Sequence, residues 1–480
     1  MATELPGNEA ASVLDPGDHA KEACGVVGVY APGDDVARVA FFGVYALQHR
    51  GQESVGIATG DGERIHIRKA MGLVAQSFHE DDLYGLPGFV AISHTRYSTT
   101  GSSCLVNAQP FIFKGPNIEL AVAHNGNVVN AAKLREELTG WGCVFNTSSD
   151  TEIIGNMLTH APATDWEGRI AYTMRRLEGA YSLTVTTKDT LLGIRDPLGV
   201  RPLCMGRLNG GWVIASESCA LDHIGADFTR EIEPGEAVLI DKDGPRTVYQ
   251  RPAAEIRASC IFEHIYFARP DSLLDGKLAY KMRMSMGAQL AKEHAVEADM
   301  VIGVPDSAIA AAVGYSQEAG IPYGEGLVKN RYVGRTFILP DQRLRDLGVR
   351  RKLNTLPEVI RGKRLVVVDD SIVRGTTTPH VVNLLRKGGA KEIHLRICAP
   401  PIMWPCHLGV DFATRKELIA ANMKVDEIRS FVGADSLGYL SHGGLLKAVG
   451  LTRNKVCMAC FTGEYPIPVQ LEMDKLALEA

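Results

Sequence analysis

Nowhere does this 480-residue sequence reach the ~18 consecutive apolar residues that a membrane-spanning helix needs. Its longest apolar tract, around Arg364-Leu365-Val366-Val367-Val368, has the length of a strand. Residues 1–23 carry neither the basic start nor the apolar stretch of about 7–15 residues that marks a secretory signal. A surplus of positive charge is missing as well: 51 Lys and Arg stand against 56 Asp and Glu, a formal charge of −5. That balance argues against broad nucleic-acid binding, although it leaves room for a local basic patch. No internal repeat is visible, and no low-complexity tract beyond the first 23 residues. These absences make the cytoplasm the default location, with neither membrane nor nucleic acid among the expected partners. In that compartment the ten cysteines read as thiols, nucleophiles or metal ligands before disulfides.

What is present suits two large domains and is too long for one core. From Cys24 to about Tyr249 short apolar and β-branched runs dominate, such as Phe89-Val90-Ala91-Ile92-Ser93, Leu120-Ala121-Val122-Ala123 and Tyr181-Ser182-Leu183-Thr184-Val185-Thr186. Helical patches are expected near 130–138 and 151–160, so this half reads as sheets covered by helices. Beyond about residue 255, helix-length patterns near 276–296, 305–319 and 378–388 alternate with buried-type strands near 300–304, 364–368 and 393–397. That alternation predicts a parallel sheet with crossover helices. The boundary is expected near 250–262.

The sharpest signal of the second half is Val366-Val367-Val368-Asp369-Asp370-Ser371-Ile372-Val373-Arg374-Gly375-Thr376-Thr377-Thr378. A buried strand ends in two carboxylates, and a Gly/Thr loop leads into a helix beginning near Pro379. Ligands of parallel sheets bind beyond the carboxyl ends of the strands. Amides and hydroxyls backed by a helix N-terminus suit a phosphate. The acids can bond sugar hydroxyls or approach Mg²⁺, which prefers hard oxygen ligands. The plain alternative is a helix cap followed by a solvated turn.

This stretch resembles the phosphoribosylpyrophosphate (PRPP) motif of type I phosphoribosyltransferases. The resemblance implies PRPP contacts from Asp369, Asp370, Ser371, Arg374, Gly375, Thr376, Thr377 and Thr378. The acids would hold the ribose hydroxyls and the loop the 5′-phosphate. It also makes Val301-Ile302-Gly303-Val304-Pro305-Asp306-Ser307 the pyrophosphate-side loop, with Ser307, Asp369 and Asp370 about the Mg²⁺. Residues 329–352 hold eight basic residues and two acids, Asp341 and Asp346. Such a run reads as a solvated face, a nucleic-acid patch or a lid over an anionic sugar phosphate. The family's closing loop matches Lys329-Asn330-Arg331-Tyr332-Val333-Gly334-Arg335-Thr336-Phe337, which implies PRPP contacts from Lys329, Arg331 and Tyr332. The following Ile338-Leu339-Pro340-Asp341-Gln342 departs from the family pattern.

Cys24 opens the tract Cys24-Gly25-Val26-Val27-Gly28-Val29-Tyr30. Were the first 23 residues removed, a thiol and an α-amine of pKa about 7.7–8.0 would share one residue, nucleophile beside base. The plain alternative is a buried strand cysteine. Downstream, His94-Thr95-Arg96-Tyr97-Ser98-Thr99-Thr100-Gly101 is expected to follow a strand and place Arg96 in a polar turn, its planar fork suited to a carboxylate. His124-Asn125-Gly126-Asn127 is also expected after a strand, where an Asn amide and a Gly N–H form an oxyanion hole, or an ordinary hairpin turn. Asp150, in Ser148-Ser149-Asp150-Thr151-Glu152, could hold an ammonium group or cap a helix. Arg195-Asp196-Pro197-Leu198-Gly199-Val200-Arg201-Pro202-Leu203 reads as a rigid turn after a strand.

In this order the motifs resemble class II glutamine amidotransferases of the N-terminal-nucleophile (Ntn) hydrolase type. That likeness makes Cys24 the nucleophile, Asn125 and Gly126 the oxyanion hole, and Arg96 and Asp150 the grips on glutamine's carboxylate and amine.

Cys457-Met458-Ala459-Cys460 read alone is a redox pair, half a zinc site or part of an iron–sulfur site. Cys260 and Cys406 lie far away in sequence, and spacing does not decide whether they join it. The chain as a whole resembles the glutamine PRPP amidotransferase family, in the branch that carries cysteines in these contexts and a removable leader. This implies a 4Fe–4S cluster on Cys260, Cys406, Cys457 and Cys460, beside one Mg²⁺ per subunit. Cys104, Cys143, Cys204, Cys219 and Cys398 are left as core or turn residues.

The implied fold is mixed α+β and α/β. A propeptide (1–23) precedes a four-layer αββα Ntn-hydrolase glutaminase domain (24–255) and a parallel-sheet phosphoribosyltransferase domain with the iron–sulfur site (256–480). The implied reaction hydrolyses glutamine and passes ammonia to PRPP, giving 5-phosphoribosylamine, glutamate and pyrophosphate, the first step of purine biosynthesis. Purine nucleotide feedback and a homotetramer come with the likeness. Rival readings are another glutamine amidotransferase or a non-catalytic PRPP-sensing regulator.

Overall fold

A computed structural model describes residues 24–97, 101–251, 257–330, 353–411, 414–469 and 478. The alternating runs of the first half pair into two stacked antiparallel sheets. One has seven strands, in the order Asp227–Glu231, Cys204–Leu208, Gly211–Ala215, Gly25–Tyr30, Val90–Arg96, Ser54–Gly60 and Ile65–Met71. The other has six: Gly244–Gln250, Glu236–Asp241, Leu191–Arg195, Gly179–Thr186, Glu119–Val128 and Phe111–Lys114.

Successive strand residues point to opposite faces, so a strand buried on both sides reads as a continuous apolar run. Gly25–Tyr30 does this. Val27 and Val29 pack under the helix Val36–Ala46, while Val26 and Tyr30 join the layer between the sheets with Ile92, Ala121, Leu191 and Val238. Gly28 is small because Leu191 crosses there: a Cβ would lie 2.6 Å from its Cδ1. The helices Thr151–Thr159 and Trp166–Arg176 cover the six-stranded sheet through Ile153, Met157, Ile170 and Met174. The layers run αββα. Each fully buried Val, Leu or Ile contributes about 1.5–3 kcal/mol.

Two motifs expected beyond strand ends lie inside strands. His94, Thr95 and Arg96 are the last residues of Val90–Arg96, and His124–Asn127 belongs to Glu119–Val128. The second strand continues because Gly126 has φ +152°, and a Cβ there would fall 1.9 Å from the Ala180 carbonyl. Only glycine lets Gly179–Thr186 pair so closely.

In the second half Met300–Gly303, Arg364–Asp369, Glu392–Ile397 and Ser436–Tyr439 form a parallel sheet in that order. The helices Ile309–Ala319 and Thr378–Lys387 accompany it. The expected helix over 276–296 is shorter, Ala279–Glu293, because Lys277 and Leu278 pair with Leu273 and Leu274. The helix expected from 305 starts at Ile309, since the residues before it form the turn that closes the first strand.

Candidate active sites

The strand register sets the first site. Gly25 pairs with Thr95, which brings Cys24 beside Arg96 where both strands end. The Cys24 thiol donates to the Tyr97 carbonyl at 3.3 Å, and the Tyr97 amide approaches the same sulfur at 3.5 Å. Burial pushes this thiol up to about 11. Arg96 donates to the Ser102 carbonyl at 2.9 Å, so its guanidinium is anchored at the rim.

Asn125 is fully buried, and neither its amide nitrogen nor its oxygen has a hydrogen-bond partner among the described residues. Buried amides are rarely left so, and an orphan of this kind calls for an explanation. It sits in the pairing Asn125 with Ser182, next to Gly126.

Asp150 precedes the helix Thr151–Thr159 yet makes no side-chain cap to it. Its Oδ2 instead accepts from the Val128 amide at 2.9 Å, and its Oδ1 lies 3.6 Å from His124 Nδ1. Burial works to raise this carboxyl, but His124 and the Val128 amide outweigh it and hold it below the usual range. An ionised carboxylate is thus kept inside the protein, while His94, pushed down to about 3 by burial, stays neutral. Sequence reading passed over His124 and Tyr97, although both stand within the quoted motifs.

At the second site the acid strand Arg364–Asp369 hands over to Asp370 and Ser371, and Asp369, Asp370 and Ser371 are buried. Asp369 Oδ1 accepts from the Asp370 amide at 2.9 Å, and Ser371 Oγ donates to Asp370 Oδ1 at 2.6 Å. Across from them, Ser307 Oγ donates to Asp370 Oδ2 at 2.5 Å, joining the turn after Met300–Gly303 to the acid pair. Lys329 Nζ reaches Asp306 at 2.8 Å. Arg374 is held by Glu417 and the Asp411 carbonyl. Gly375 has φ +73°, and a Cβ there would meet Ile419 Cδ1 at 2.4 Å. Thr377 precedes the helix Thr378–Lys387 without a side-chain cap to it. Ser307, Asp369, Asp370 and Ser371 are thus brought together. Arg331 and Tyr332 lie outside the described residues.

Cys260 and Cys457 are register partners in the two-residue parallel ladder of Ser259–Cys260 with Val456–Cys457. All four candidate cysteines are free, and burial raises each thiol. The Met403 and Trp404 amides donate to the Cys460 carbonyl at 2.9 and 3.0 Å, which brings the segment leading to Cys406 against Cys460. Among the described residues no group of three or more His, Cys, Asp or Glu is set to hold a single metal ion. Four free thiols, two of them register partners, have the chemistry of the donor set of an iron–sulfur cluster, a larger body than one ion.

A buried charge network that sequence reading missed joins residues of the two halves. Arg50 bonds Glu217 and, at 2.5 Å, Glu263; Arg201 lies 3.3 Å from Glu263 and donates to the Leu408 carbonyl at 2.9 Å. Despite burial, which raises it, Arg50 and then His49 hold Glu217 well below the usual carboxylate range. Asn127 Nδ2 donates to the His407 carbonyl at 2.9 Å. A Cβ on Gly409 would stand 3.1 Å from the Gly126 carbonyl carbon. The segment that follows Cys406 thus packs on the Asn125–Asn127 stretch.

An Ntn-type glutaminase fold joined to a phosphoribosyltransferase fold defines a glutamine amidotransferase that acts on a sugar phosphate. Residues 94–223 match the family of the glutamine amidotransferase domain, and residues 271–399 that of the phosphoribosyl transferase domain. The amidophosphoribosyltransferase of Synechococcus elongatus is 49% identical over 97% of this chain and 96% of its own length. That of Archaeoglobus fulgidus is 51% identical over 93% of this chain and 98% of its own. The glutamine PRPP amidotransferase from B. subtilis, solved with ADP and GMP, superposes with a TM-score of 0.88 at 43% identity, covering 95% of this chain and all of that one. This chain belongs to the amidophosphoribosyltransferase family. It is a pentosyltransferase of the first step of purine biosynthesis.

Proposed function

We propose that Cys24, freed at its nitrogen by loss of residues 1–23, attacks the carboxamide of glutamine. The α-amine takes the thiol proton and returns it to the departing ammonia, leaving a thioester that water hydrolyses to glutamate. Asn125 Nδ2 and the Gly126 N–H receive the tetrahedral oxyanion. The unpartnered, fully buried amide of Asn125 carries this reading, since an acceptor is missing there. Arg96 takes the α-carboxylate, and Asp150, kept ionised, takes the α-ammonium.

Ammonia then attacks C1 of PRPP and pyrophosphate departs. Asp369 and Asp370 hold the ribose hydroxyls. Ser371, Arg374, Gly375, Thr376, Thr377 and Thr378 hold the 5′-phosphate, and Lys329, Arg331 and Tyr332 belong to the lid. Ser307, Asp369 and Asp370 supply the hard oxygens for one Mg²⁺, which when bound offsets charge gathering on the pyrophosphate. Free ammonia would be protonated in bulk water, so lid closure over PRPP builds a closed passage between the sites.

Cys260, Cys406, Cys457 and Cys460 would hold one 4Fe–4S cluster per subunit; bound, it ties the polypeptide at that locus and supplies an oxygen-sensitive redox group. The domain division falls at 255/256. Feedback by purine nucleotides is supported by the relative solved with ADP and GMP. A homotetramer and a cytoplasmic location complete the proposal. Among the described residues no helix is long and apolar enough to cross a membrane.

Glutamate release from glutamine, followed with and without PRPP in processed wild type and in C24A, tests the core of it. PRPP-stimulated release that is lost in C24A is expected. Release that survives in C24A removes the nucleophile, and equal release with and without PRPP removes the coupling.

A further inference from the structure

Arg201 is wholly buried, and both terminal nitrogens of its guanidinium are engaged. Nη1 lies 3.3 Å from Glu263 Oε1, and Nη2 donates to the Leu408 carbonyl at 2.9 Å. The third donor, Nε–H, is buried and has no acceptor among the described residues. Leaving such a group unpaired is costly, more so when it is charged. Native proteins leave few of them.

Its surroundings point to the missing acceptor. The Cys260 amide donates to the carbonyl of Val200, the residue before Arg201, at 3.1 Å. Glu263 stands three residues past Cys260, and Leu408 two past Cys406. Gly409 closes the side near Nη2, where a Cβ would come within 2.9 Å, and the Phe267 ring lies 5.9 Å from the guanidinium carbon. With both Nη atoms fixed on residues that flank two of the cysteines, the planar fork leaves Nε–H no rotational freedom to seek water.

We propose that Arg201 is the buried counter-cation of the four-cysteine site, its Nε–H, which no cysteine sulfur accepts, being left to donate to a sulfide of the cluster held there. The proposal rests on the reading that these cysteines hold an iron–sulfur cluster. Four thiolates on a cluster gather negative charge, and hydrogen bonds to the sulfurs are among the factors that set its reduction potential. A donor of positive charge favours the more negative, reduced form. Arg201 belongs to the glutaminase half and shares Glu263 with Arg50, so the cluster would be tuned from across the domain boundary.

Iron and acid-labile sulfide are measured first in anaerobically purified and reconstituted wild-type protein. If neither is incorporated, the cluster reading itself fails and the role of Arg201 goes with it. With the cluster present, protein carrying ¹⁵N-arginine is reduced and examined by pulsed EPR, in wild type and in R453K. The second sample removes the guanidinium of Arg453, which donates to the carbonyl of Val456, next to Cys457, at 3.1 Å. A ¹⁵N coupling that persists in R453K is expected, and its absence from the wild type, or its loss in R453K, overturns the proposal. R201K keeps the charge but not the fork. Its equilibrium constant for one-electron reduction should fall about tenfold, equal to about 59 mV. An unchanged potential overturns the assignment while leaving the cluster reading intact, and if R201K does not fold, the labelled samples decide.

Discussion

The Tyr97 hydroxyl donates to Asp411 Oδ2 at 3.4 Å, joining a residue of the nucleophile site to one of the phosphoribosyltransferase half. Tyr97 meets the Cys24 sulfur through its own backbone, and the Asp411 carbonyl accepts from Arg374 of the PRPP loop at 3.3 Å. One residue therefore links the two neighbourhoods, by its backbone on one side and its hydroxyl on the other.

Replacing Tyr97 by Phe removes only the hydroxyl. A hydrogen bond of this kind contributes about 1 kcal/mol, so PRPP stimulation of glutamate release should drop roughly fivefold in Y97F. Ammonia-dependent synthesis of phosphoribosylamine should hold. Stimulation equal to wild type would show that this contact carries no coupling.

In the chain that retains residues 1–23 the nitrogen of residue 24 is a peptide amide, and burial raises the Cys24 thiol to about 11. The thiolate is the reactive form, so alkylation should climb with pH up to about that value. Once the α-amine is exposed, its range of about 7.7–8.0 should bring reactivity down toward neutrality. Mass spectrometry of the Cys24 peptide after iodoacetamide treatment across pH, before and after processing, measures the difference. Superimposable profiles would leave the amine without a role.

N125A should lower glutamine-dependent kcat by about 10²–10³ while ammonia-dependent turnover stays near wild type, as loss of one oxyanion donor does elsewhere. The Asn125 side chain has no hydrogen-bond partner among the described residues to lose, so thermal stability should change little. A large fall in Tm with modest loss of kcat would make it a packing residue.

Glu217 ties Arg50, and Arg50 ties Glu263, with all three side chains buried. Removing one member of such a pair typically costs about 3–5 kcal/mol. Because the folded carboxyl is depressed, its contribution is intact above the unfolded value of about 4.3 and is lost as pH falls through the folded value. E217Q should be much less stable than wild type at pH about 7, and the gap should shrink in acid. Urea unfolding at several pH values checks this; a gap that stays constant would contradict it.

The PRPP end was readable in the sequence because its parts are adjacent. A strand, two acids, a Gly/Thr loop and a helix follow one another without interruption from Arg364 to Lys387, so their order and spacing can be read along the chain. The glutaminase motifs were readable as a set, but their backbone was misjudged: His94–Arg96 and His124–Asn127 lie within strands. Gly126 resembles a turn signal, and only the close pass of Ala180 shows why a strand needs glycine there.

By itself, the sequence determined the order of the two halves, the chemistry of each loop and the kinds of group available. Tertiary structure alone decided which of those groups meet. Asn127 finds His407 across 280 residues and Tyr97 finds Asp411 across 314, while Arg50, Arg201, Glu217 and Glu263 look in sequence like ordinary surface charges. The reason is physical: hydrophobic burial constrains period and composition, which a linear pattern displays. The partner of a buried charge is selected by distance and desolvation, which exist only once the chain has folded.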